Sequence, residues 1–254
     1  MKKNINLRTE KSLKHQFYKT IKNKGILECI KYENINFLSK INTDNKKILE
    51  LGCGIFPSSF GTFQNKKKIK FTASDCSNQI IELAKKIEKK NYYKKIDLEK
   101  KIKLDTSFDV IILKGVIHHI KYPEKLFKQL KNYLNKNGIL LISEPNLSSL
   151  IGNFLKWVLK KIFKKNLEDS PYGQYSFKKI EQSLKKSELK IKKIWYSSLI
   201  LLIISGDYGR INFMPNNKYL YYFFIFLEKI LYFFISGLGI SKYLYFKINL
   251  IVGR

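Results

Sequence analysis

Arginine is nearly missing from this basic chain: Arg8, Arg210 and Arg254 stand beside a formal net charge of +29, so lysine carries the excess. Sites that read phosphates or base edges favour arginine's planar fork. The scarcity therefore weakens a nucleic-acid reading, although a basic surface does gain from counterion release on phosphate. Solvated lysine faces are the expected state, and nucleic acid is the less favoured partner. Cysteine is scarce as well. Cys29, Cys53 and Cys76 form no Cys-x-x-Cys pair and no disulfide framework, which points to a reducing, intracellular setting. The start of the chain, MKKNINLRTEKSLKHQFYK, lacks an apolar core and a small-residue cleavage site, so no secretory leader is expected. The expected location is the cytoplasm, with the inner face of the membrane as the alternative address.

What is present is a chain of 254 residues, enough for one domain with a sizeable core and an elaborated cap. Residues 11–40 read as amphipathic helices with Phe17, Ile21, Ile26, Leu27, Ile30, Phe37 and Leu38 turned inward. Short apolar runs then alternate with helical patterns: KILEL, IKFTASD, YYKKID, FDVIILKG and ILLISEP, with helices after the KILEL glycines, over NQIIELAKKIEKK and over PEKLFKQLKNYLNKNG. Such alternation predicts right-handed βαβ units and a parallel sheet covered on both faces. Asn137-Gly138 is expected to stop the last of these helices.

After Asn146 the pattern changes. LSSLIGNFLKWVLKKIFKKN is amphipathic at helical spacing, SFKKIEQSLKKSEL is a further helix capped by Ser176, KIKKIWYSSLILLIIS contains a sixth strand and YLYFKINLIVG reads as the last one. Trp157 and Trp195 are expected in the core. The most apolar stretch, Tyr219 to Ile240, has Glu228-Lys229 at its centre, each costing about 2.5–3.5 kcal/mol in hydrocarbon, so a membrane span is not expected. Packing on the domain, a homodimer interface, or a peripheral membrane contact through 219–240 remain open for it. The layout is one domain: helices over 1–44, a core over 45–147, a helical cap over 148–189, and two strands over 190–254 with an apolar insertion at 205–242.

The chemistry sits where KILEL meets its turn. Gly52 and Gly54, around Cys53, let a ligand approach the backbone, and Asp75 ends the next strand about 20 residues later, where a carboxylate reaches ribose hydroxyls. A dinucleotide loop would carry a third glycine where Pro57 stands, which disfavours a nicotinamide enzyme. Glu50, two residues before Gly52, is placed to brace the loop.

These residues resemble the first motifs of class I S-adenosylmethionine (SAM) dependent methyltransferases, in particular the branch that includes the ubiquinone and menaquinone methyltransferases. ILELGCG resembles the first motif and TASD the second. KKID, ending in Asp97, matches the acid that contacts the adenine in relatives, with Leu98 beside it. The block SFDVIILKGVIHHIKYPEKLFKQLKNYLNKNGILLISEPN matches nearly position by position. The resemblance covers about residues 45–147 and implies an α/β fold: a Rossmann-like seven-stranded, mostly parallel sheet with its last strand antiparallel and helical cap insertions. It also implies SAM as cofactor, with Glu50, Gly52, Cys53, Gly54, Asp75, Cys76, Asp97, Leu98, Lys114 and Gly115 around it and no metal. His118 and His119, at the carboxyl end of a strand, are the candidate catalytic residues, as bases toward a substrate hydroxyl.

No Asn-Pro-Pro-Tyr-like sequence follows the fourth strand and no Pro-Cys pair is present, so methyl transfer to oxygen of a small-molecule, glycan or lipid-like acceptor is expected. The alternatives are an RNA methyltransferase working through the lysines and a non-catalytic, membrane-associated subunit. Tyr18, the cap and the insertion are expected at the substrate edge.

Overall fold

The computed structural model describes residues 10–63, 69–162, 172, 175–205 and 215–254. Expectations placed on residues 1–9, on 163–171 of the cap and on 206–214 of the insertion lie outside them. In chain order the elements are α1 (Glu10–Lys22), α2 (Lys24–Leu38), β1 (Lys47–Leu51), β2 (Lys70–Asp75), α3 (Asn78–Ile87), β3 (Tyr92–Lys95) and β4 (Phe108–Lys114). A single 3-10 turn (Ile117–His119) leads to α4 (Pro123–Asn132), β5 (Leu134–Pro145), α5 (Leu150–Ile162), α6 (Phe177–Lys185) and β6 (Lys190–Ser197). The chain closes with α7 (Ile200–Ile204), α8 (Lys218–Gly237), α9 (Ser241–Leu244) and β7 (Lys247–Gly253).

The strands form one seven-stranded sheet in the order β3-β2-β1-β4-β5-β7-β6. β1 pairs in parallel with β2 and β4, and β7 runs antiparallel to both β5 and β6. The Rossmann-like arrangement implied by the sequence resemblance is therefore present, with its last strand reversed. Side chains alternate across the sheet as a strand's two-residue period requires. Leu49, Leu51, Ile111 and Leu113 pack with Leu126, Phe127 and Leu130 of α4 and Ile180 of α6 on one face. Ile48, Val110 and Ile112 meet Phe37 of α2 and Trp195 on the other. The strand order reverses between β1 and β4, which opens a crevice at their carboxyl ends.

Three local expectations are corrected. Residues 53–63 form turns, with no helix among them after the glycines. Asn34 of α2 explains this, because its Nδ2 donates to the Pro57 and Phe60 carbonyls at 3.2 and 3.1 Å and so holds the segment in a non-helical path. Asn137-Gly138 lies inside β5 and does not end α4, which stops at Asn132. Gly138 is needed there for close approach, since a Cβ would come within 2.9 Å of the Phe108 carbonyl oxygen. Trp157 is 52% exposed on α5, whereas Trp195 is buried as expected.

α8 lies along α2. Tyr221, Ile225, Glu228 and Ile235 face inward, and Tyr221 and Ile225 share a cluster with Ile26, Cys29 and Ile30. Gly25 makes room for the Tyr221 ring, which a Cβ would meet at 2.0 Å. Glu228 is no obstacle to burial, because its carboxylate accepts the Leu199, Ile200 and Leu201 N–H groups at 2.8, 2.6 and 3.2 Å.

Candidate active site

The turn after β1 is built by backbone geometry. Gly52 and Gly54 have φ of +68° and +59°, a left-handed region that side chains disfavour. A Cβ on Gly52 would strike Val116 at 2.6 Å, whereas one on Gly54 would meet nothing within 4 Å. Gly54 therefore borders open space. The Cys53 N–H bonds to the Ser74 carbonyl at 2.8 Å, tying the turn to β2, and the Cys53 side chain is buried.

Two buried carboxylates flank this turn. Asp75 accepts the Gly54 N–H at 3.2 Å and the Ser77 N–H at 3.1 Å, and burial raises its pKa against those hydrogen bonds. Glu50 accepts the Ser58 hydroxyl at 2.5 Å and the Ser58 N–H at 2.8 Å, so it clasps the loop four residues beyond Gly54. Desolvation pushes Glu50 up to about 7, partly offset by the Ser58 bonds and by the Lys114 charge. Phe56 is held between Phe17 of α1 (ring centroids 6.5 Å apart) and Phe60 (5.8 Å).

Along the β2–β3 edge, Cys76 is exposed beside Asp75, and Asp97 lies just past β3. Asp97 accepts the Glu99 N–H at 3.1 Å and pairs with Lys100 at 3.3 Å. Leu98 is half-buried against the core of the α4–α6 face. Lys114 ends β4, but its amine turns toward α2 and meets Asn34 Oδ1 at 2.6 Å. Desolvation lowers that amine to about 8 against the attraction of Glu33 and Glu50. Gly115 follows at φ +67°, exposed at the crevice, where a Cβ would touch only His118 Cε1 at 3.9 Å.

The paired histidines differ. His119 is exposed, whereas His118 is buried and its Nδ1 lies 2.6 Å from Glu144 Oε2. Glu144 Oε1 also accepts the Val116 and Ile117 N–H groups at 2.8 and 2.7 Å. A carboxylate that accepts three donors fixes the His118 tautomer with its proton on Nδ1, leaving Nε2 as an acceptor. The structure thus brings Gly52, Gly54, Asp75, Gly115 and the His118–Glu144 pair to one edge of the sheet and turns the Lys114 amine away toward α2. The sequence reading missed Glu144, Asn34 and Ser58. Only Glu144 left a trace, as a lone acid closing the apolar run ILLIS.

A glycine turn bordering open space, a buried carboxylate at the end of β2 and a second acid past β3 lie at the carboxyl edge of a doubly wound sheet, where open α/β sheets bind their ligands. These residues fit SAM, whose ribose diol needs an acceptor and whose methionine end needs unobstructed backbone. The family model described as a methyltransferase domain matches residues 42–199, and the chain belongs to that family. It is a SAM-dependent methyltransferase. Among curated relatives, the chain is 32% identical over 136 residues to polyketide synthase 10 of Dictyostelium discoideum, covering 44% of this chain but only 6% of that protein. It is 27% identical over 188 residues to the ubiquinone biosynthesis O-methyltransferase of Pelagibacter ubique, covering 64% of this chain and 71% of that one. Among solved structures, the magnesium protoporphyrin IX methyltransferase of Synechocystis PCC 6803, with bound S-adenosylhomocysteine, shares the fold at a TM-score of 0.53 and 15% identity. That likeness covers 91% of this chain and 84% of that one. Neither an RNA acceptor nor a non-catalytic role finds support in these comparisons.

Proposed function

We propose that the protein methylates an oxygen of a small-molecule, glycan or lipid-like acceptor, with His118 as the base and Glu144 as its positioning partner. The observation that carries this reading is the buried His118–Glu144 pair at the carboxyl ends of β4 and β5, across the crevice from the glycine turn. An oxygen nucleophile needs its proton removed as it attacks, and an imidazole Nε2 held as acceptor can take it. SAM supplies an electrophilic methyl group that needs no further activation. The chain's own residues then have three tasks. Asp75, with Asp97 beyond it, orients the nucleoside; Gly52, Gly54 and Gly115 leave the backbone open to the methionine end; and Glu50, through Ser58, keeps the loop in place. Alignment of this kind accounts for much of the rate in a displacement reaction.

The oxygen target also has support in the name of one relative, the ubiquinone biosynthesis O-methyltransferase. The test is methyl incorporation from radiolabelled SAM into lipid, glycan and small-molecule fractions, paired with calorimetric binding of S-adenosylhomocysteine. Asp75→Ala is expected to weaken S-adenosylhomocysteine binding at least about tenfold, the loss of a charge-assisted hydrogen bond. His118→Gln is expected to leave that binding intact while lowering kcat by about 10²–10⁴. A His118→Gln enzyme with unchanged kcat and pH profile would remove the base assignment.

A further inference from the structure

We infer that α8, α9 and α5 together form a docking surface for an anionic lipid bilayer, on which the protein rests with α8 parallel to the membrane plane. The inference makes no assumption about the methyl acceptor. α8 is the one helix among the described residues that is long and apolar enough to cross a membrane, yet its two faces are differently engaged. Tyr221, Ile225 and Glu228 are locked against α2 and α7 and Ile235 against Leu199 and Tyr245, while Tyr219, Phe223, Phe226 and Phe233 recur at helical spacing on the opposite, exposed side. Phe233 is 75% exposed and Tyr219 71%. A spanning helix would have to surrender the three N–H groups that Glu228 holds, those of Leu199 and of the first two residues of α7, and bury that carboxylate in hydrocarbon. A helix lying flat keeps them and immerses only its free side.

The exposed side continues onto two neighbours. Leu231 and Ile235 of α8, Leu244 of α9 and Ile151 of α5 pack in one cluster around Tyr245, so the three helices are adjacent. α5 exposes Leu150, Phe154 and Trp157 there, and α9 adds Tyr243. Exposed aromatic and aliphatic side chains gathered on three adjacent helices mark an interaction site.

Charge selects the occupant. Between Lys218 and Lys247 the sole acid is Glu228, which is turned inward, and Leu150 to Ile162 contains none. Cations frame the apolar surface: Lys218 lies over Tyr219 at 5.2 Å, Lys242 over Tyr243 at 4.6 Å and Lys161 over Trp157 at 5.2 Å. Aromatic rings beside lysines match the headgroup boundary of a bilayer, where the ring enters the acyl layer and the amine meets lipid phosphate. A second copy docking through the same three helices would set lysine against lysine, with no exposed carboxylate among their described residues. α2, which receives α8, also carries Asn34, the partner of Lys114, so the docking face lies one helix away from the site.

The experiment is flotation of the full chain with phosphatidylcholine vesicles and with equimolar phosphatidylcholine–phosphatidylglycerol vesicles. The wild type is expected to float with the anionic vesicles at least about tenfold more than with the neutral ones, a preference erased by Lys218→Glu plus Lys242→Glu. Phe223→Gln, Phe226→Gln and Phe233→Gln together change only exposed side chains and should preserve the circular dichroism spectrum while abolishing flotation. Bromine-labelled acyl chains should quench the exposed Trp157. A wild type that stays with the soluble fraction in both vesicle types overturns the inference. So does a dimer in sedimentation velocity that the triple phenylalanine variant dissolves, if no vesicle binding accompanies it.

Discussion

Glu50 shows how one buried side chain ties loop geometry to solution conditions. Its folded pKa of about 7 stands above the ordinary 4.5, so between those values the folded protein holds a proton that the unfolded chain has lost. The stabilisation this group contributes is complete below about pH 4.5 and is lost as pH rises to about 7. Comparing the wild type with Glu50→Gln by urea unfolding isolates the effect from Asp75 and other acids. The stability difference between the two should shift by roughly 3 kcal/mol across that window, each pKa unit being about 1.4 kcal/mol. A flat difference would refute the assignment. At this scale the sequence was readable where chemistry is written locally. Gly52, Gly54 and Asp75 announce themselves by type and spacing, whereas Glu144 becomes the partner of His118 only after β5 returns beside β4, 26 residues on. The direction of the Lys114 amine was illegible for the same reason: it answers to Asn34, 80 residues earlier.

Helices and turns depend on packing that crosses long stretches of chain. Gly25 looks like a flaw within α2 until Tyr221 of α8 is seen filling the space its missing side chain leaves. Gly25→Ala is therefore expected to destabilise the fold by about 1–3 kcal/mol through overpacking, despite alanine's better helix propensity. Hydrogen exchange should speed up most in the α8 amides, and Tyr221→Leu on the Gly25→Ala background should recover part of the loss. Equal or greater stability of Gly25→Ala would show that the ring simply moves aside. The absent helix after Gly54 has a related origin. Local pattern favoured a helix there, but Asn34 claims the Pro57 and Phe60 carbonyls from outside the segment. Trp157 was expected inside because amphipathic spacing shows that a helix has an apolar side without showing what faces it.

For the whole molecule, the sheet was legible because alternating strand and helix patterns admit few topologies. The reversal of β7 came from the family resemblance; its place between β5 and β6 is set by tertiary pairing that the sequence pattern does not show. The charge imbalance has a consequence at this scale too. With 49 lysines and arginines against 20 acids, self-repulsion opposes compactness at low ionic strength. Between about 0.01 and 0.1 M salt the screening length falls from ~30 to ~10 Å. The midpoint of thermal unfolding should accordingly rise by several degrees over that range, and a fall would indicate that ion pairs outweigh the repulsion.

The pairing of α2 with α8 also sets a timetable. The Lys24 N–H and its acceptor on Asn216 are 192 residues apart, which at roughly 5–20 residues per second of synthesis is about 10–40 s. Throughout that interval Ile26, Cys29 and Ile30 wait on the nascent chain without their cover, and the birth of this protein is exposed to capture by chaperones until its last fifth has emerged.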